Sequence, residues 1–415
     1  MAADQSDARL HVTDMPGPLA GFSVLDLSAI VSGPLTGALL ADQGASVIKV
    51  ERLVGDIQRH VGSSRNGFSG FFHVINRGKR SIALDLATDE GRGIVEALAQ
   101  RADVVIQNFR PGVITRLGLG YERLSALNPK LVYLSISGFG QTGPRAGERA
   151  YDPIIQFYSG IAATQGRIHL EHPDQPEQVN QLILDKLTAY TGFQAITAAL
   201  LERSMSGAGQ HIELSMLDTA IAFLWPDTAA DLILQGDGVD ARPPVGASGN
   251  VAEYRDGWAT TMTLSDDEFH GMCRALGCDH IGDDPRFATL AARQRNRPAL
   301  IEVLRGEMAT ASRKLSLAEA AERFAAEDVP FARARRLTEL HEDPQVAHNQ
   351  VFSTLEHPTA GTLRHARPAP RFGRTPAAPG GPAPVSGQHT REILAELGLG
   401  DRTEDWLARG IVAAP

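Results

Sequence analysis

The chain has 415 residues, 43% of them hydrophobic, and a formal net charge of −9. That length suits two domains, or one large domain with an insertion, and the acidic balance argues against non-specific binding to nucleic acid or an anionic membrane, leaving room for a local basic pocket. Two cysteines, Cys273 and Cys278, fit neither a CxxC redox motif nor a zinc pair; with no apolar leader-like run near the start and no window of membrane-spanning length, the expectation is a cytoplasmic protein.

The first half alternates strand and helix patterns. FSVLDLS reads as a strand, and GPLTGALLADQG as a helix with Pro34 in its first turn and Gly44 as its stop. SVIKVE and SIALDL are further strands, DEGRGIVEALAQRA a helix, DVVIQNF a strand, YERLSALNP a short helix and LVYLSISGFG a strand. Such alternation implies a mostly parallel sheet covered by helices, an α/β domain from about Gly21 to about Gly209. Past residue 224 the texture changes. AEYRDGWATTMTL predicts a hairpin turning at Asp256–Gly257, and DDEFHGMCRALG and LIEVLRGEMAT predict helices. The expected organisation is a large domain begun by 1–224, a smaller α+β domain over 225–328, and a return segment, 329–415, that completes the large domain. That return is Pro/Ala/Gly-rich, which suits an extended surface-hugging path, and ends in the helix HTREILAELG.

One carboxylate stands out. In QLILDKLTAYTGFQAITAALLERSMSGAGQ, an apolar run meets Asp185, and a helical pattern follows until Gly207. On spacing alone Asp185 reads as a helix N-cap, its carboxylate accepting from free backbone N–H groups.

GFGQTG, residues 138–143, matches G-x-G-x-x-G after a strand, but Pro144 and RAGERAYD follow instead of a helix. A dinucleotide fingerprint must open a helix whose N-terminus meets the pyrophosphate, so a nicotinamide or flavin site is not expected. No Walker A, H-E-x-x-H or G-x-S-x-G pattern occurs, and the histidines lie outside metal-ligand spacing, so no metal is expected. Basic residues in NRGKR (76–80), with Arg110 and Arg116 near NFRPG, are either solvated charge or holders of a phosphorylated ligand at the strand C-termini.

Several stretches together resemble the class III CoA-transferases, the CaiB/BaiF or formyl-CoA transferase family. They include GFSVLDLSAIVSGPLTGALLADQGASVIKVERLVGD, NRGKRSIALDL, ADVVIQNFRPGVITRLGLGYERLSALNPKLVYLSISGFGQTGP, AYDPIIQFYSG and LILDKLTAYTGFQAITAALLERSMSGAGQHIELSMLDTA. Order and spacing carry the resemblance, from about Gly17 to about Gly400. It implies a Rossmann-like large domain, a smaller α+β domain and an interlocked homodimer. It also implies coenzyme A, as acyl-CoA, for cosubstrate and a small carboxylic acid as the other partner.

The resemblance places the family's catalytic aspartate at Asp185, whose carboxylate would attack a thioester and pass through anhydride and aspartyl-CoA intermediates. Each step forms an oxyanion, so backbone N–H donors are needed nearby; GFGQTG, and Gly246 and Gly249 of PPVGASGN, are the candidates. By position, CoA contacts fall on Ala29, Ile30, Val31 and Ser32 after the first strand and on Arg52 after the second. Leu84 and Ala87 fall on the adenine side, and Asn108, Phe109, Arg116 and Arg149 complete the set. Tyr151, beside Asp152, stands where the related α-methylacyl-CoA racemases carry a histidine. A phenol, with its ordinary pKa of about 10, is a poor replacement for imidazole in reversible proton transfer, which favours transferase over racemase. The remaining alternative is a non-catalytic CoA-binding protein.

Overall fold

The computed structural model describes residues 16–166, 175–239 and 250–415, and the chain divides into two compact units, 1–224 with 347–415, and 225–346.

The first unit is built on a sheet of β1 (Ser23–Asp26), β2 (Ser46–Glu51), β3 (Lys79–Leu84), β4 (Val104–Gln107), β5 (Val132–Ser137) and β6 (His211–Ser215). Their order is β3-β2-β1-β4-β5-β6, all parallel. This is the order 3-2-1-4-5-6 of doubly wound nucleotide-binding folds. The short strand Val412–Ala413 adds antiparallel outside β3. β1 to β5 are buried along their whole lengths, as expected of parallel strands covered on both faces.

Alternate side chains feed two cores. Leu25, Ile48, Ile82, Leu84 and Val105 pack with Ile94, Val95 and Leu98 of helix α3 (Asp89–Arg101) and with Ile393, Leu394 and Trp406 from the C-terminal segment. Val24, Val47, Ile106 and Leu134 face the other way. They meet Leu40 and Ala41 of α1 (Ser32–Asp42) and Ile196 and Leu200 of the long helix α5 (Ile183–Ser206). A Cβ on Gly192 would lie 3.1 Å from Leu134 and 3.2 Å from Thr36; its absence lets α5 settle against both α1 and β5. Between these elements come α2 (Gly70–Asn76) and α4 (Asp152–Ser159), and α6 (Met216–Leu224) follows β6.

The second unit holds a three-stranded antiparallel sheet, Asn250–Tyr254, Gly257–Thr261 and Phe331–Arg333. Tyr254 pairs with Gly257, so the hairpin turns on Arg255–Asp256, one residue before the turn expected from the Asp-Gly signal. Helices Asp266–Leu276 and Leu317–Ala326 each open on a full capping box, Ser265/Glu268 and Ser316/Glu319. Both cysteines are free and buried in this unit's core. The unit runs on to Val346 rather than ending near 328, because Phe331–Arg333 supplies its third strand. The return segment is also more regular than its composition implies, since Phe352–His357 and Gly361–Ala366 form an antiparallel hairpin. Among the described residues, no helix is long and apolar enough to cross a membrane.

Candidate active site

In open α/β sheets ligands bind beyond the strand C-termini, at the point where the strand order reverses. Here that point lies between β1 and β4, and a pocket of about 220 Å³ sits there. Its lining draws on the loops after β1 (Ile30, Ser32), β4 (Asn108, Phe109, Arg110) and β5 (Gly138, Arg149, Tyr151), with Asp185 from the start of α5.

The loop after β1 is tethered residue by residue. The Ser28 N–H and hydroxyl both donate to Asp26 Oδ1, the N–H at 2.9 Å. Lys49 Nζ donates to the Ser28 carbonyl at 2.9 Å. The Asn108 side chain accepts from the Ala29 N–H at 2.9 Å and donates to the Ala29 carbonyl at 2.6 Å. Ile30 then adopts φ +72°, a left-handed conformation that is a true outlier for a β-branched residue and costs of order 1–3 kcal/mol. The tethers hold it there, and the chain turns into α1 at Ser32.

Asp185 is the third residue of α5 and 8% exposed. It does not cap that helix. The capping oxygen is Asp152 Oδ2, from the first residue of α4, which accepts from the N–H groups of Leu184 (2.7 Å) and Asp185 (2.8 Å). Gln156 holds the other oxygen, Nε2 donating to Asp152 Oδ1 at 2.6 Å. The Asp185 side chain is thereby free of capping duty and lines the pocket together with Ser32. Burial, and then the adjacent Asp152 charge, push the Asp185 carboxyl up to about 7, with the neighbouring Ser32 pulling weakly the other way. The helix N-terminus alone would favour the ionised form; desolvation and the like charge outweigh it.

The other expected residues divide. Ile30, Ser32, Asn108, Phe109, Arg149, Tyr151 and Asp185 meet in the pocket. Val31 does not: it packs against Leu35, Ile75 and Ala189. Leu84 lies in the sheet core opposite Val412, with no surface to offer a ligand. Ala29, Arg52, Ala87 and Arg116 are exposed on the strand C-terminal side but outside the pocket lining. Gly246 and Gly249 lie outside the described residues. The NRGKR charges are not free to hold phosphate. Arg77 pairs with Asp42, Lys79 with Asp26, and Arg80 with Glu392 and Glu396. By contrast, Arg110 and Arg149 line the pocket exposed, and neither has an ion-pair partner among the described residues.

In GFGQTG the Gly140 N–H is taken by Ser137 Oγ at 3.1 Å and the Gly138 carbonyl by the Leu217 N–H at 3.0 Å. The stretch runs into turns, not a helix, so it lacks the dinucleotide geometry. Its tie to the pocket is Gly138, where a Cβ would overlap Ala150 at 2.2 Å. The sequence reading missed Asp152 as the cap and Met216 in the lining. Only Asp152 carried a signal, as an acidic residue opening a helix with Pro153. Among the described residues there is no group of three or more His, Cys, Asp or Glu placed to hold a metal.

The pocket at the switch point thus has one buried carboxylate, Asp185, in its lining. A family model described as CoA-transferase family III matches residues 19–390, and the chain belongs to that family. It is a transferase of the EC 2.8.3 type, acting on CoA thioesters and carboxylic acids. It is 36% identical over 411 residues to a succinate–glutarate CoA-transferase of Agrobacterium fabrum, covering 94% of this chain and 99% of that protein. It is 34% identical to a succinyl-CoA–D-citramalate CoA-transferase of Chloroflexus aurantiacus, covering 95% and 96% of the two chains. Among solved structures, a CaiB/BaiF family protein from Brucella suis superposes with a TM-score of 0.78 at 32% identity, covering 92% of this chain and all of that one.

Proposed function

We propose that this enzyme moves CoA from an acyl-CoA to a small dicarboxylic acid through covalent intermediates on Asp185. The observation that carries the reading is the Asp185 carboxylate itself: buried, relieved of capping by Asp152, and facing a pocket at the sheet's switch point. An ionised Asp185 oxygen attacks the thioester carbonyl carbon. The tetrahedral oxyanion collapses, the C–S bond breaks, and CoA thiolate leaves an aspartyl–acyl anhydride. The thiolate then attacks Asp185 Cγ, breaking the anhydride C–O bond, so the donor acid departs as its carboxylate and an aspartyl-CoA thioester remains. The acceptor carboxylate attacks Cγ in turn and expels thiolate. The thiolate next attacks the acyl carbon of this second anhydride, which frees the Asp185 carboxylate and the new thioester. Each step exchanges one activated acyl bond for another, so no ATP is consumed.

Arg110 and Arg149, exposed in the lining without acidic partners among the described residues, are suited to the negative charge of both substrates. Asn108 and Ile30 shape the wall that CoA meets, with Arg52, Ala87 and Arg116 further out along the same side of the sheet. The dicarboxylate class follows from the succinate, glutarate and D-citramalate in the relatives' names and from the cationic lining. Tyr151, lining the pocket at the entry to α4, contacts the acyl group. A phenol is a poor replacement for the imidazole that racemase chemistry uses. The enzyme acts as a homodimer.

The test is chemical trapping. With acyl-CoA alone, hydroxylamine converts Asp185 to a hydroxamate and borohydride reduces it to the alcohol. Either changes the mass of the tryptic peptide from Ile168 to Lys186. Asp185→Asn binds CoA, carries no adduct and transfers nothing. An unmodified peptide in wild-type enzyme that is turning over would replace the covalent route with direct transfer in a ternary complex.

A further inference from the structure

We propose that Gln107, Ser135 and His211 form a positioning relay that braces the pocket-wall turn at Asn108 from the edge of the sheet, and that the brace needs His211 neutral. The inference rests on the reading of that wall as the one CoA meets. It gives a role in CoA binding to three residues that lie outside the pocket lining.

Three polar side chains cross three adjacent strands. Gln107 ends β4, Ser135 lies opposite it in β5, and His211 opens β6, the last strand on that side of the sheet. Gln107 and Ser135 are buried. The Phe109 N–H donates to Gln107 Oε1 at 2.8 Å, and Gln107 Nε2 donates to Ser135 Oγ at 2.8 Å. Ser135 Oγ in turn lies 2.8 Å from His211 Nε2. The first of these bonds spans Asn108. The Gln107 side chain closes on the backbone two residues ahead, and so fixes the turn from which Asn108 reaches Ala29 across the switch point. Asn108, Phe109 and Arg110 are the residues this turn gives to the pocket. At the far end the His211 ring is stacked on Tyr121, centroids 4.8 Å apart, and meets the Tyr133 ring edge-on at 5.5 Å. Tyr133 is pinned by its hydroxyl, which donates to the Leu119 carbonyl at 2.9 Å. The relay is therefore anchored on a ring packed against the short helix Tyr121–Leu127.

Every proton in the relay has a fixed direction. A backbone N–H can only donate, so the Gln107 oxygen must face Phe109 and its amide NH2 must face Ser135. Ser135 Oγ accepts from Gln107, and among the described residues its other partner is His211. The hydroxyl proton therefore goes to His211 Nε2, which accepts only when the ring is neutral and carries its proton on Nδ1. Nδ1 is the nitrogen that faces Glu213, at 3.9 Å. Burial lowers the His211 pKa, against the opposing charges of Glu213 and Glu122, and so favours the neutral ring. The titratable groups facing it are Tyr121, Tyr133, Glu213 and Glu122. A protonated His211 would present Ser135 with a second donor and leave its buried hydroxyl proton without an acceptor, which is unfavourable. Protonation, like removal of the ring, would slacken Ser135 and, through Gln107, the turn that holds Asn108.

CoA itself is the probe, so the covalent route does not enter. Its affinity is measured by titration calorimetry at pH 8, beside KM and kcat for a fixed acyl-CoA and acid pair. His211→Phe keeps the stack on Tyr121 and removes the acceptor. It should weaken CoA binding about fivefold, the worth of one hydrogen bond, and raise the KM for acyl-CoA in step, with a smaller change in kcat. His211→Gln, whose amide oxygen can accept from Ser135, should restore most of the affinity. The ratio of CoA dissociation constants between His211→Phe and wild type should narrow towards one as pH falls through the His211 titration, below the ordinary imidazole value of about 6.5, because wild type then loses the relay as well. Titration of CoA itself cancels in that ratio. A packing role alone would leave the ratio constant with pH and His211→Gln no better than His211→Phe. Either result would overturn the proposal, as would wild-type affinity in His211→Phe. Should His211→Phe not fold, Ser135→Ala takes its place with the same expected loss, and wild-type CoA affinity in it rejects the relay. Asn108→Ala separates the relay from the reading beneath it. If Asn108→Ala binds CoA as wild type does, the wall is not the one CoA meets; if it weakens CoA while the relay variants do not, the relay alone is rejected.

Discussion

The buried Asp185 carboxyl is held at a cost to the folded state. Its carboxyl titrates near 7 in the fold against 3.8 as an unperturbed side chain. Between those values the folded chain binds more protons than the unfolded chain, so stability falls as pH rises from about 4 to about 7 and then levels. Asp185→Asn removes the charge and keeps the shape. It should therefore be more stable than wild type at pH 8, by up to about 4 kcal/mol, with the difference vanishing near pH 4; urea unfolding at both values measures it. A gain that is independent of pH would show that the carboxylate is not held unfavourably. Loss of activity together with that gain would mark Asp185 as a catalytic group held unfavourably. At this scale the sequence was informative about position and silent about environment. Asp185 was legible from its place before a helix and from the family pattern. The cap came from Asp152, 33 residues earlier, a pairing that helix periodicity does not encode. Leu84, expected on the adenine side, lies buried and paired with Val412, a placement that an apolar residue near a strand end does not reveal in sequence.

The loop between β1 and α1 owes its shape to charges buried beneath it. Lys79 Nζ spends all three protons, on Asp26 Oδ2 (2.7 Å), the Pro34 carbonyl (2.7 Å) and Asn76 Oδ1 (2.9 Å). Burial alone would raise the Asp26 carboxyl; the charges of Lys79 and Lys49 outweigh it and hold the group below its ordinary range. A Cβ on Gly37 would press on Asp26 and Lys79, each at 3.2 Å, so α1 lies directly on this pair. Removing one partner of a buried pair leaves an uncompensated charge. Lys79→Met should cost about 3–5 kcal/mol, read as a lower urea midpoint, and should raise KM for acyl-CoA because the loop that carries Ile30 and Ser32 loosens. A variant with wild-type midpoint and KM would separate the network from the site. The sequence showed these as strand residues and loose surface charge; a lysine within a strand does not announce whether it is buried. The strands themselves were legible because parallel strands covered on both faces are continuous apolar runs. The 352–366 hairpin was not, since its alternation of half-buried and exposed residues is interrupted by charges and flanked by prolines.

At the scale of the whole molecule, the strand order explains why the pocket is where it is: the order of the parallel strands reverses at β1/β4, and the two loops leaving that point diverge and open the pocket. The alternation of strands and helices made a parallel sheet readable, whereas its order, with a C-terminal strand closing the β3 edge, depends on contacts hundreds of residues apart that no local pattern carries. The same unit leaves apolar surface uncovered. Ile154, Phe157 and Tyr158 on α4, Tyr190, Leu201 and Met205 on α5, and Ile221 and Phe223 on α6 are all at least 41% exposed. Apolar surface gathered on neighbouring helices marks an interaction face, and the α4, α5 and α6 helices pack on one another. The proposed homodimer, if its two chains interlock, would cover this face. Two rings threaded through each other cannot part while both remain folded. The dimer should therefore persist on dilution to nanomolar concentration, and in urea the loss of dimer mass by light scattering should coincide with the loss of helical circular dichroism. The unfolding midpoint should rise with protein concentration, as mass action requires when dissociation and unfolding are one event. A folded monomer appearing before the unfolding transition would reject the interlocked arrangement and leave a simple docked pair, or no pair, as the state of the enzyme.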